Sequence, residues 1–335
     1  MCAGGGGWRV IMIVGLALPK RVYLESDEVA VTFVVPAPNG CNMACAFCAI
    51  RARAEAKPAD TVVQVDDYLA FLRSAARRYQ IGVVSLQGYE PLLPESWFYT
   101  RAVLEAANDL GLSTALVTNG SYLSDQAQAL KELDLGSLSV SIDSASAEAH
   151  DHSRGTPGAF ELTMQGLKTA LAVGLGEKIT VASVIQKGKS SLLNGMPALL
   201  ASVGLTRWVV TPVQSFGRVG GTVDTAESIL REAKRLYIGA LEAGITFELD
   251  DELEAILCTS SEDRRAVEQL HGRRVQRADQ IIRLSPSGAV SRGAELRRRI
   301  SETACFWDPR AEGADDLLRR LDGDKPAPKL YMVKG

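Results

Sequence analysis

The sequence predicts an α/β fold, a partial (β/α)6 barrel of the TIM type with a smaller α+β cap at its C-terminal end. Three observations predict it. Short β-branched runs alternate with longer amphipathic ones from about Val29 to Ala243. Six such strand–helix units follow one another, which favours right-handed crossovers and a parallel sheet but falls short of a closed eight-fold barrel. Near Ile245 the alternation stops and about 90 residues of different character follow.

The elements are read in order. Val29–Val35 is a strand of β-branched and aromatic residues, and Val65–Tyr79 an amphipathic helix with Asp66 as its cap. Val83–Gln87 is the second strand, and Glu95–Leu110 a helix that stops at Gly111. Thr114–Thr118 precedes a helix over Ser124–Leu133 with Ser124 as N-cap. Ser137–Asp143 precedes a helix over Phe160–Val173. Lys178–Ile185 precedes Ser190–Val203, and Arg207–Thr211 precedes the helix Thr225–Ala243. In such a sheet ligands gather at the carboxyl ends of the strands.

Three segments are expected: a leader with a possible edge strand at 1–28, the barrel at 29–244 and the cap at 245–335. The leader has four consecutive glycines and an apolar run, Val10–Leu18, about half of what spans a bilayer. A signal peptide would want a small-x-small cleavage site after that run, and Pro19-Lys20-Arg21 follows instead. A soluble, cytoplasmic protein with no membrane partner is expected. The balance of 37 Lys and Arg against 40 Asp and Glu, net −3, speaks against a general nucleic-acid binder. In the cap, Arg264–Arg299 holds ten Arg against three acids without interleaved aromatics, the pattern of a solvated helical face.

Six cysteines are an ordinary count for 335 residues, but three lie within eight residues, as Cys41, Cys45 and Cys48. They follow the first strand and a turn-forming Pro38-Asn39-Gly40. Structural zinc normally takes four protein ligands in two separated pairs, and no second C-x2-C exists. Iron–sulfur cubanes use thiolates at such close spacing. Three thiolates on four irons leave one iron open to a substrate or cofactor. Buried cysteine and three-ligand zinc are the competing readings.

At these residues the sequence resembles the radical S-adenosylmethionine superfamily, whose signature is C-x3-C-x-aromatic-C with Phe47 in the aromatic place. The resemblance implies that Cys41, Cys45 and Cys48 hold one [4Fe–4S] cluster. Its open iron would chelate the amino and carboxylate groups of S-adenosylmethionine, whose reductive cleavage yields a 5′-deoxyadenosyl radical that abstracts a substrate hydrogen. An external electron donor such as flavodoxin or ferredoxin is implied as a partner.

The resemblance extends over most of Val29 to about Arg218. Gln87-Gly88-Tyr89-Glu90-Pro91-Leu92 looks like the family's GGEPLL stretch, with Gly88 letting backbone approach the methionine amino group and Glu90 accepting from it; Tyr89 departs from the usual second glycine. Thr118-Asn119-Gly120 matches the family's TNG, and an Asn-Gly turn alone would also explain it. Ser139-Val140-Ser141-Ile142-Asp143 is similar to the S-x-D stretch, in which Ser141 and Asp143 would meet ribose hydroxyls or substrate; a helix N-cap is the rival role for Asp143. Arg154, in His150-Asp151-His152-Ser153-Arg154-Gly155, is the implied clamp for the cofactor carboxylate, and Val210–Gln214 would line the adenine.

Ile281–Val290 looks like the hairpin of the extension often called SPASM or twitch, with Pro286-Ser287-Gly288 as its turn. The family places a cysteine five residues after that glycine, where Gly293 stands here. Outside the triplet and Cys2 only Cys258 and Cys305 remain, too few for a conventional auxiliary cluster. A cap without auxiliary cluster favours redox-neutral outcomes, namely epimerisation, rearrangement, elimination or decarboxylation of a small polar metabolite. Cys305 or Cys258 would then be candidate hydrogen donors; plain buried cysteine is the alternative for each. The Arg-rich cap suits an anionic substrate. Dehydrogenation, peptide modification and, in another class, a non-catalytic cysteine–metal module remain alternatives.

Overall fold

The computed structural model describes residues 28–48, 63–213, 226–249, 280–292 and 305–323. The strands are β1 (Glu28–Val35), β2 (Gln80–Gly88), β3 (Thr114–Thr118), β4 (Ser137–Ser141), β5 (Ile179–Ile185), β6 (Arg207–Pro212), β7 (Thr246–Leu249), β8 (Ile281–Leu284), β9 (Ala289–Arg292) and β10 (Cys305–Phe306). The helices are α1 (Val65–Arg78), α2 (Pro94–Asp109), α3 (Leu123–Glu132), α4 (Ala147–Arg154), α5 (Ala159–Ala172), α6 (Met196–Ser202), α7 (Ala226–Glu242) and α8 (Ala314–Leu321). All strands form one sheet in the order β10-β9-β8-β1-β2-β3-β4-β5-β6-β7. From β1 to β7 every neighbouring pair is parallel. The α/β barrel class expected from the alternation is the one observed.

The two faces of the sheet differ because strand side chains alternate. Val31, Phe33, Val84, Leu86, Leu116, Leu138, Val140 and Val181 pack outward against the helices in one continuous core. Phe33 meets Tyr68 and Phe71 of α1 edge-on at 5.4 and 6.0 Å. The opposite face is smaller and more polar. At its base Ala30 and Val83 bury against Ala115 and Ile281.

Several boundaries differ from the sequence reading, each for a local reason. Helix α1 is capped at Gln64, whose N–H donates to Asp67 Oδ2 at 2.8 Å, while Asp66 lies in the first turn. Helix α3 starts at Leu123 with Tyr122 at the cap position rather than Ser124. Ser190–Val203 divides into a short 3-10 turn, Ser190–Leu193, and α6, which restarts where Pro197 needs no N–H donation. Helix α4 is additional: its eight residues are polar and lack an apolar stripe. Strand β7 is a seventh parallel strand, hidden in the sequence by the neighbouring carboxylates.

The C-terminal residues are built onto the first edge of the barrel. Strand β8 pairs parallel with β1, and β9 and β10 follow antiparallel. Trp307, 3% exposed, inserts beside Phe71 at 5.9 Å, and its N–H donates to the Gly288 carbonyl at 2.8 Å. Helix α8 buries Leu317 and Leu318 and brings Asp322 to Arg78, Tyr79 and Arg292. Cys258, Gln214 and most of the Arg-rich stretch lie outside the described residues. No helix among the described residues is long and apolar enough to cross a membrane.

Candidate functional site

The site lies at the carboxyl ends of β1–β5. The chain leaves β1 through Pro36 and turns at Gly40, so the cysteine loop, Cys41–Cys48, stands directly over the strand ends. All three cysteines are half-buried, and none of them is in a disulfide. Strand β2 ends at Gly88, paired with Val35. Gly88 has φ +133°, and a Cβ there would meet Val34 Cγ1 at 2.9 Å and Val35 N at 3.1 Å. Only glycine lets these two strand ends approach so closely.

Glu90, 1% exposed, is a latch between strand ends. Its Oε1 accepts from the Thr118 hydroxyl at 2.6 Å and the Leu92 N–H at 3.0 Å, and its Oε2 accepts from the Asn119 N–H at 2.7 Å. Burial pushes its carboxyl up to about 7, against the pull of those bonds. The sequence reading gave Glu90 a cofactor ammonium as partner; the protein itself supplies three donors.

Asn119 turns from this latch toward the cysteines. Its Nδ2 donates to Asn42 Oδ1 at 2.9 Å and points at Cys41 Sγ at 3.8 Å. Asn42 in turn donates to Ser121 Oγ at 2.9 Å, and Ser121 donates from N and Oγ to Asn119 Oδ1. The Met43 N–H also points at Cys41 Sγ, at 3.4 Å. Asn42 and Ser121 escaped the sequence reading, since single polar residues beside a motif carry no pattern of their own.

A second network comes from β4 and α4. Asp143, 2% exposed, accepts from Ser153 Oγ at 2.9 Å and the Val184 N–H at 3.0 Å. Arg154 Nε stands 3.0 Å from Asp143 Oδ2 as an ion pair, without the alignment of a hydrogen bond. Ser146, not Asp143, caps α4. Arg154 Nη1 points at Cys45 Sγ at 3.9 Å, and its guanidinium lies 5.5 Å from the centre of the Phe47 ring. Burial opposes the Arg154 charge, but Asp143 and Cys45 outweigh it and keep the side chain firmly protonated. The Arg154 carbonyl accepts the Ala44 N–H at 2.9 Å. Gly155, at φ +63°, closes this join, because a Cβ would fall 2.6 Å from the Ala44 carbonyl. Helix α4 therefore holds the cysteine loop by both backbone and side chain.

His150, fully buried, accepts the Asp143 N–H on Nδ1 at 3.2 Å. Burial and the Arg154 charge bring its pKa down to about 4, so the ring is neutral. Ser141, half-buried at the end of β4, faces the same side as Ser139, opposite the buried Val140 and Ile142. Cys305 is not part of this cluster. Its backbone pairs with Val290, three strands beyond the barrel's first edge, about 14 Å from β1 across β9 and β8.

Among the described residues no three His, Cys, Asp or Glu side chains converge closely enough to hold a single metal ion. An iron–sulfur cubane asks for something else, each thiolate on its own iron around a body larger than one ion. The donor set fits it. Burial pushes the Cys41 thiol up to about 11 and also raises Cys45, the latter opposed by Arg154. Soft thiolates buried at this cost, with N–H groups aimed at their sulfurs, suit metal-bound sulfur better than free thiol.

A parallel barrel with three cysteines over β1, gripped from β3 and α4, places the donor set for an iron–sulfur cluster at the strand ends. The comparisons agree. The family model described as "Radical SAM superfamily" matches residues 35–190, a little under half of the chain. Members are iron–sulfur enzymes that bind S-adenosylmethionine. The AdoMet-dependent heme synthase of Oleidesulfovibrio alaskensis is 26% identical over 195 residues, 56% of this chain and 48% of the relative. The GTP 3′,8-cyclase of Nautilia profundicola is 30% identical over 155 residues, 46% and 47% of the two chains. The chain thus spans about half the length of these curated relatives. Among solved structures, Streptococcus suis SuiB bound to its precursor peptide SuiA aligns with a TM-score of 0.63 at 16% identity, covering 89% of this chain and 66% of SuiB. That likeness is one of fold.

Proposed function

We propose that Cys41, Cys45 and Cys48 hold one [4Fe–4S] cluster and that S-adenosylmethionine binds against it. The enzyme then removes a hydrogen atom from a small polar metabolite. When bound, the cluster and the sulfonium supply the radical chemistry, with an electron from a donor such as flavodoxin or ferredoxin. The protein's own residues do the placing. Gly88 opens the backbone at the end of β2, and Glu90 fixes that end to β3. Asn119 and Arg154 orient Cys41 and Cys45, and Phe47 shields Arg154. Ser141 and Asp143 present oxygens at the end of β4, the latter through a pair that also aims Arg154.

The observation that carries the reading is the convergence of Asn119, from β3, and Arg154, from α4, on two different cysteine sulfurs. A structural zinc loop would need neither. The cysteine shortage in the cap supports a redox-neutral net reaction, with Cys258 or Cys305 as hydrogen donor if the outcome is epimerisation.

The test is Cys45→Ala on protein reconstituted without oxygen. The variant loses both its iron and its binding of S-adenosylmethionine. Cofactor binding indifferent to the substitution would support a non-catalytic metal module instead.

A further inference from the structure

The cluster site leaves the inner wall of the barrel unexplained. Along β2–β6 the outward side chains are buried, whereas Ser85, Gln87, Ser139, Ser141, Thr180 and Thr211 on the inner face are each half-buried. Ala115, Val117, Ala182 and Val184 share that face, so hydroxyls and an amide line the inner wall among small apolar side chains. An apolar occupant would leave these groups without partners, while a polar one would satisfy them.

Strand β8 continues this wall past β1. Ile282 and Leu284 are fully buried in the outer core, so strand alternation turns Ile281 and Arg283 inward. Ile281 meets Ala30 and Val83 in the inner cluster. The register sets Arg283 beside Thr32, and Thr32 beside Ser85. Arg283 is half-buried there. Its backbone lies three residues, about 10 Å, below the end of β1 and the cysteine loop, a depth the long side chain partly spans.

The other edge of the barrel also turns a polar side chain inward. On β7, Phe247 packs outward against Trp208 and Tyr237, so Glu248 faces inward in register with Val209, 4% exposed. The hairpin that presents Arg283 is also held in place. Val63 N–H donates to the Pro286 carbonyl at 3.1 Å, Trp307 bonds to Gly288, and Arg292 pairs with Asp322.

Resting on the radical-enzyme reading above, we propose that Arg283 anchors an anionic group of the substrate, a carboxylate or a phosphate, inside the barrel. The C-terminal hairpin is then a substrate-binding wall rather than only a cover.

Full-length protein, reconstituted without oxygen, is titrated with succinate, with inorganic phosphate and with neutral succinamide at constant ionic strength, reading the melting temperature. At least one anion raises it saturably, and succinamide does not; the anion that binds more tightly distinguishes carboxylate from phosphate chemistry. R283Q weakens that anion at least tenfold while keeping the native iron content. If R283Q does not fold, R283K decides: it keeps the charge but cannot pair two parallel N–H groups with the anion, and binding weakens about threefold or more. No saturable anion effect in the native protein overturns the proposal, as does an unchanged effect in R283Q or, where that fails to fold, in R283K. Failure of the parent reading looks different, because iron and 5′-deoxyadenosine release would then be missing whatever the anions do.

Discussion

Glu90 offers the most quantitative prediction. Its folded carboxyl titrates near 7 because it is buried, against 4.5 when exposed. A folded pKa above the unfolded one means that stability is greatest below about 4.5 and is lost as pH rises through 7. At 1.36 kcal/mol per pKa unit the loss is about 3 kcal/mol. Glu90→Gln removes the titration and keeps an oxygen for Thr118 and Leu92, but sets an amide against the Asn119 N–H, a cost of about 1–3 kcal/mol at every pH. The stability of the variant relative to the native protein therefore improves by about 3 kcal/mol between pH 4.5 and pH 8.5, whatever that fixed cost. Denaturant unfolding of both proteins at the two pH values, without oxygen, measures this difference, and other titrating groups cancel in it. A difference that does not change with pH, or one that worsens for Gln as pH rises, would refute the reasoning.

Other expectations follow from the same networks. Asp143→Asn leaves Arg154 buried without its counter-charge and lowers unfolding stability by about 3 kcal/mol, read from the denaturant midpoint at pH 7. Gly155→Ala forces a Cβ toward the Ala44 carbonyl at a left-handed position and costs about 1–3 kcal/mol; it also loosens the cysteine loop, seen as faster alkylation of Cys41 and Cys45 in metal-free protein. Arg154→Gln removes the charge that pulls the Cys45 thiol down, so Cys45 alkylates more slowly at pH 8 than in the native metal-free protein, measured by peptide mass spectrometry.

What the sequence made legible was whatever repeats or clusters. The strand–helix alternation yielded β1 to β6 and their helices within a few residues, because an outer face of Val, Ile and Leu under helices leaves a period. The cysteine triplet was legible because thiolate chemistry constrains spacing. Helix α4 was missed, since it buries His150, Ser153 and Arg154 instead of an apolar stripe. Strand β7 was masked by adjacent acids, and the joining of the hairpin to β1 is a long-range pairing that no local pattern encodes. Glu90 and Asp143 were singled out as cofactor contacts from the motifs they sit in; their burial and their partners Thr118, Leu92, Ser153 and Val184 belong to tertiary contact. The same holds for the inward turn of Arg283, which only the burial of Ile282 and Leu284 reveals.

The central claim is that the three cysteines and the strand ends beneath them form a working centre for cleaving S-adenosylmethionine. Its most direct test is anaerobic reconstitution followed by addition of a strong reductant and the cofactor. The account predicts about four irons per chain and release of 5′-deoxyadenosine that Cys41→Ala, Cys45→Ala and Cys48→Ala each abolish. Full iron loading with no cofactor cleavage under any reducing condition would contradict it.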